Sequence, residues 1–154
     1  MIARINPNAA ELAGAVAEAA RSVLDTMFFA EAETCAPPSP EQQNSMLGVS
    51  VRFDGGVRGE FLIAIDPHAA AVLSAAFLGL DKSDVSAAEI GQVMCETANM
   101  ICGAALSRIE AEDHMRLETP SLTDAASAFA RGGYVQEFFV TPDGNIATGV
   151  RLSA

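Results

Sequence analysis

The chain has 154 residues, half of them hydrophobic and 19% charged, a balance that supports one folded domain with a proper core and excludes a disordered chain. Its 9 basic residues stand against 20 acidic ones, for a net charge of -11, so neither nucleic acid nor an anionic membrane surface is an expected partner, because both require a basic patch. Three cysteines (Cys35, Cys95 and Cys102) are too few for a disulfide framework, Met1 to Pro7 lacks the pattern of a signal peptide, and the long apolar stretches are broken by Asp, Glu or Gly, so a cytoplasmic protein is expected.

A first helix is predicted from about Ala9 to Ala30. Pro7 precedes it, Asn8 can cap it with Glu11 three residues on, and Leu12, Val16, Val23, Leu24, Met27 and Phe28 recur at helical spacing. Cys35 to Ser45, with three prolines, reads as an irregular loop. Met46 to Asp54 and Val57 to Ile65 flank Gly55-Gly56 and read as a hairpin. Asp66-Pro67 is a cap followed by proline at the first helical position, opening a second helix that carries Val72, Leu73, Ala76 and Phe77 and ends near Gly79. A third helix starts at Ser86, with Glu89 in the capping-box position, and reaches about Glu110. Arg116 to Thr119 is a short strand candidate. Tyr134 to Thr141 and Ile146 to Leu152 form a second hairpin around Pro142-Asp143-Gly144-Asn145. The order is α, β, β, α, α, β, β, β. Hairpins pair antiparallel, so the expectation is an α+β fold, an antiparallel sheet covered by helices, in a single domain over residues 1–154.

The third helix carries the functional argument. At about 100° per residue, Gln92, Glu96, Asn99, Gly103 and Glu110 fall within an arc of roughly 60°, with Glu89 and Ser107 at its margin. Ile90, Val93, Met94, Ile101, Ala104 and Ala105 fall on the other side and belong against the sheet. A polar arc of this kind is what any solvated helix shows. Two details set it apart: it lacks the Lys and Arg that balance Glu in i,i+4 pairs, and it contains a glycine, which costs a helix about 1 kcal/mol relative to alanine. Gly103 either lets a partner backbone approach or serves packing within the chain.

Glu96 and Asn99, three apart, point to the same side. A carboxylate can engage a cation on a partner, and an amide, with a donor and an acceptor, can hold a water in a chosen orientation. Neither is a strong nucleophile. The pair suits an electrophile already activated elsewhere, such as an aspartyl phosphate complexed to a metal ion, where positioning and electrostatics supply most of the catalysis. Other candidates are weaker. Cys95 and Cys102 are seven apart, which is not zinc spacing, and read as small apolar residues. His68 reads as an exposed first-turn residue, His114 as a surface residue, and Asp81, Ser83 and Asp84 as a solvated turn without a calcium-loop pattern. Phe28-Phe29 and Phe138-Phe139 read as core or dimer-edge residues.

The segment Glu96-Thr97-Ala98-Asn99-Met100-Ile101-Cys102-Gly103 resembles the E-x-x-N-M-x-x-G helix of the CheX/CheC/FliY response-regulator phosphatases. Pro120, 21 residues after Asn99, matches the proline that follows this helix in CheX-like members, and the first hairpin and second helix fit as well. The resemblance implies a CheC-like fold and a phosphorylated CheY-like receiver as substrate. It implies that Glu96 pairs with the receiver's lysine, that Asn99 orients the attacking water, that Pro120 is structural, and that Mg²⁺ belongs to the receiver, with no metal of the chain's own. With one such helix the chain is CheX-like, and CheX-like members tend to be homodimers. In the wider motif a Ser or Asp stands four residues before the glutamate; here that position is Gln92, which can hydrogen-bond but supplies no charge. The alternative is a non-catalytic adaptor of the same fold that binds a receiver without hydrolysing its phosphate.

Overall fold

The computed structural model describes residues 6–109 and 115–153. The expected end of the third helix at Glu110, and His114, lie outside them. The described elements are, in chain order, α1 (Ala9–Phe28), β1 (Glu33–Thr34), α2 (Pro40–Asn44), β2 (Leu47–Asp54), β3 (Gly59–Ile65), α3 (Pro67–Leu78), a 3-10 turn (Lys82–Asp84), α4 (Ala87–Ser107), β4 (Arg116–Leu117), β5 (Ser121–Asp124), α5 (Ala125–Arg131), β6 (Val135–Thr141) and β7 (Gly144–Leu152). The strands form one sheet of order β1-β6-β7-β3-β2-β4, with β5 also on β2, and every recorded pairing is antiparallel. The α+β class and the sheet under helices are as expected, and the five longest expected elements besides α4 sit within a few residues of their predicted bounds.

The sheet has two unequal faces, set by the alternation of side chains along each strand. Val49, Val51, Phe53, Phe61, Ile63, Ile65, Phe139, Ile146 and Val150 point to the side covered by α1, α3 and α4, where they join Leu12, Val16, Leu24, Leu73, Met94 and Ile101 in the main core. The opposite face carries a smaller cluster, Met46, Ala64, Ala125, Phe138 and Ala147, under α5. Strand β3 is buried along its whole length, as a central strand with cover on both sides must be.

Three expectations are corrected. Cys35 to Ser45 is not wholly irregular: Ser39 caps the short helix α2 and accepts the Gln42 N–H at 3.2 Å, with Pro40 at the first helical position where its missing N–H costs nothing. Asp66 does not cap α3 with its side chain; its Oδ2 accepts the Asn145 N–H at 2.6 Å, tying the start of α3 to the turn before β7. Of the two places expected for Phe29 the core is excluded: it ends α1 in the left-handed region at φ 51 and is 91% exposed, while Phe28 turns back to lie 6.2 Å, ring to ring, from Phe77. The second hairpin is also tighter than the four-residue turn suggested. Thr141 pairs with Gly144, leaving Pro142-Asp143 as the loop, and Gly144 takes φ 147, which a side chain would oppose.

Where one short strand was expected at Arg116 to Thr119, the structure has β4 and, beyond it, β5 on the same strand β2. Leu117 pairs with Phe53 and the Glu118 N–H donates to the Arg52 carbonyl at 2.8 Å, but Ser121 pairs with Ser50. Thr119 and Pro120 together therefore stand opposite Val51, a bulge with one extra residue. Proline, which cannot donate to the ladder, is tolerated at such a place. The bulge shifts the register by one residue, so Leu122 pairs with Val49 and points to the α4 side of the sheet.

Candidate active site on the outer face of α4

Helix α4 is fixed at its start by a complete capping box: the Glu89 N–H donates to Ser86 Oγ at 3.1 Å, and the Ser86 N–H donates to Glu89 Oε1 at 2.9 Å. Those bonds hold the Glu89 carboxyl below its usual pKa. Val93, Met94, Ala98, Ile101, Cys102 and Ala105 anchor the inner side in the main core. Burying an apolar side chain of the size of Ile101, which is 2% exposed, contributes about 2 kcal/mol. Thr97 is buried and spends its hydroxyl on the Val93 carbonyl at 2.7 Å, so no polar group on this side is left to disturb the seat.

The outer side is the polar one. Gln92, Glu96 and Asn99 are exposed, one helical turn apart, and among the described residues none of the three makes a side-chain hydrogen bond or ion pair within the chain. Glu96 and Asn99 are thus neither turned inward nor engaged by any described residue. They stand on an open helix surface; three surface depressions, of about 780, 520 and 270 Å³, are lined by other residues. A carboxylate and an amide held on such an exposed surface suit a group that another macromolecule presents to them.

Gly103 is half-buried on the same side, and a Cβ there would meet nothing within 4 Å. Packing within the chain does not require a glycine at this position, which removes one of its two explanations. The glycine that packing does use is Gly91, where a Cβ would meet Leu122 Cδ1 at 2.9 Å. Leu122, 59% exposed, therefore flanks the polar face as an apolar neighbour near its N-terminal end. Sequence reasoning missed it. The signal was Pro120 inside a strand-like run, which implies a bulge and a reversal of facing.

The remaining candidates take modest roles. Cys102 is buried and Cys95 half-buried, and burial pushes both thiols up, away from the reactive thiolate. His68 is exposed, with Nδ1 2.8 Å from Lys82 Nζ and Nε2 3.9 Å from Asp143 Oδ1. Asp81 and Asp84 flank an exposed 3-10 turn. Among the described residues no three His, Cys, Asp or Glu side chains gather where they could hold a metal ion, and no helix is long and apolar enough to cross a membrane.

Residues 47–141 match the family model described as chemotaxis phosphatase CheX. No curated protein matches the chain. Among solved structures, the chain is similar to the chemotaxis protein CheX from Vibrio vulnificus, with a TM-score of 0.74 and 18% identity, covering 96% of this chain and 100% of that one. It is also similar to CheX from Desulfovibrio desulfuricans, with a TM-score of 0.71 and 20% identity over 93% of this chain and 99% of that one. A CheX-CheY-BeF3-Mg²⁺ complex from Borrelia burgdorferi matches with a TM-score of 0.73 and 19% identity over 92% of this chain and 97% of that one. At these identities the structural matches speak for the fold, and the family model speaks for the family.

Proposed function

The chain belongs to the family of the chemotaxis phosphatase CheX, and from that premise we propose that it hydrolyses the aspartyl phosphate of a CheY-like receiver with Glu96 and Asn99. The observation that carries this reading is the state of the two side chains: exposed, unengaged, and one turn apart on a helix whose other side is locked in the core. Glu96 pairs with the receiver's lysine and so sets the docking register. Asn99 enters beside the phosphoaspartate and orients the attacking water, its amide oxygen accepting a hydrogen bond from it. The receiver's own Mg²⁺ neutralises the phosphoryl oxygens, in keeping with the composition of the Borrelia complex. Water attacks phosphorus, the bond to the aspartyl oxygen breaks, the carboxylate leaves with the electron pair, and the water's proton passes to the departing phosphate and solvent. No base of high pKa is needed, because a dissociative transition state asks for alignment more than for proton removal.

The reading includes self-association. Met27, Phe29, Phe77, Leu78 and Leu80 are each at least 40% exposed at the adjoining C-terminal ends of α1 and α3, an apolar surface that fits a second copy of the chain.

The test is loss of phosphate from a receiver labelled with acetyl phosphate, followed with the wild-type chain and with Asn99→Ala. The variant should lose roughly 100-fold in rate or more, the size of effect seen when one oriented polar group is removed from a transition state, while still binding the receiver. Acceleration that survives the substitution sinks the assignment of Asn99. Tight receiver binding by the wild type with no acceleration makes the protein an adaptor of the same fold.

A further inference from the structure

The face of the sheet turned away from α4 carries a second feature, unrelated to Glu96 and Asn99. The strand register sets Arg52, Glu60 and Arg151 side by side across β2, β3 and β7. Arg131, from the end of α5, reaches over the same row, and its Nη2 lies 3.4 Å from Glu60 Oε1. These residues, with Arg58, line a depression of about 780 Å³, a volume within the range of small-molecule sites. Four of the chain's nine basic residues thus converge on one concavity.

The carboxylates do not use up this charge. Glu60 is only 9% exposed and already satisfied: Oε1 accepts the Tyr134 hydroxyl at 2.5 Å, and Oε2 accepts Ser50 Oγ at 2.8 Å. Asp54 is taken by Arg58 at 3.3 Å, and Glu118 is the one other acid in the lining. Arg151 Nη1 stands off from Glu60 at 3.9 Å, and Arg52 makes no ion pair among the described residues. A guanidinium has five N–H donors in a fixed fork suited to oxyanions, and most of those on Arg52 and Arg151 are unspent. Four arginines against three carboxylates leave a local net positive charge on a chain of -11. The depression lined by Glu18, Asp25, Glu31 and Glu33 has the opposite balance, with Arg21 and Arg108 as its cations.

We infer that this depression is a binding site for a small anion carrying at least two negative charges on phosphate or carboxylate groups, gripped by Arg52 and Arg151. The buried Glu60 holds Arg131 and stands beside Arg151; it does not compete for the ligand, because its oxygens are occupied.

The experiment measures thermal unfolding and calorimetric binding with pyrophosphate and, separately, with citrate, at ionic strength held constant with sodium chloride. The variants are Arg52→Gln, whose side chain is exposed, and Arg21→Gln in the acidic depression as control. At least one probe should bind the wild type saturably and raise its unfolding temperature. Arg52→Gln should weaken that binding roughly tenfold, the loss of one charge-assisted hydrogen bond, and Arg21→Gln should not. The relative strength of the two probes separates phosphate from carboxylate ligands. Absence of saturable binding by both, or binding that Arg52→Gln leaves unchanged, overturns the inference.

Discussion

Leu122 rests on Gly91, so closely that a Cβ on the glycine would come within 2.9 Å of the leucine Cδ1. The contact exists because the bulge at Thr119-Pro120 shifts the register and turns Leu122 toward α4. Gly91→Ala should test how firmly the leucine is held. Alanine is worth about 1 kcal/mol more than glycine in a helix interior, and the atom it displaces is the tip of an exposed side chain. The expected result is stability unchanged or raised by up to about 1 kcal/mol in urea, with a shifted Leu122 methyl resonance. A clear destabilisation would mean that Leu122 cannot move aside.

Gly103→Ala separates folding from docking. An added Cβ meets nothing within 4 Å, so the substitution should stabilise the protein by about 1 kcal/mol. If a receiver's backbone passes over this position, KM for the phosphorylated receiver should rise in the same variant. Greater stability with an unaltered KM would deny Gly103 any part in recognition.

Glu96→Gln should act on docking more than on turnover. The proposed contact is with a cation, so the wild-type KM should rise with salt as exposed charges are screened. In the glutamine variant KM should be raised roughly tenfold at low salt and lose most of that salt dependence, with kcat much less affected. Steady-state kinetics at two ionic strengths settle the matter; a fall confined to kcat would move Glu96 from docking to chemistry.

Burial alone would push the Glu60 carboxyl up, but hydrogen bonds from Tyr134 and Ser50, with Arg131 and Arg151 nearby, outweigh it and hold the group below its usual value of 4.5. A carboxyl whose folded pKa is depressed stabilises the fold above its unfolded pKa, and that contribution is lost as pH falls through the folded value. Burial and the Glu60 carboxylate in turn push the Tyr134 hydroxyl up to about 12, so it stays a donor throughout. Tyr134→Phe should therefore cost about 1–3 kcal/mol at pH 7, the range for a hydrogen bond to a charged group. The gap between variant and wild type should narrow as pH falls below 4.5 and through the lowered folded value. Urea unfolding at a series of pH values from 7 downward checks it, and a gap that stays constant down to acid unfolding would show that the hydroxyl does not act through the carboxylate.

The long elements were legible because each carried its own punctuation. Ser86 with Glu89, and Asn8 before Glu11, marked helix starts that the bonds at 3.1 and 2.8 Å bear out. The polar arc of α4 was equally plain, since the same spacing that buries Ile101 exposes Glu96 and Asn99. What escaped were short segments whose shape depends on distant partners. Ser121–Asp124 is a strand only because β2 supplies its ladder, and Ala125–Arg131 is a helix packed on the second sheet face. Asp66 looked like a cap because local chemistry favours one, yet a backbone N–H from Asn145 claimed it. Glu60, a charge in a fully buried strand, gave no local hint of the tyrosine and arginines that satisfy it.

The strand order β6-β7-β3-β2 has a consequence for biosynthesis. Strand β3 gains one neighbour from the adjacent hairpin, but its other neighbour, Gly144–Leu152, is translated long after it leaves the ribosome. Until then the edge of a largely apolar strand stays open, the kind of surface on which nascent chains pair wrongly. Ribosome stalling or truncation ahead of Gly144 should therefore yield insoluble protein, in place of a smaller folded product.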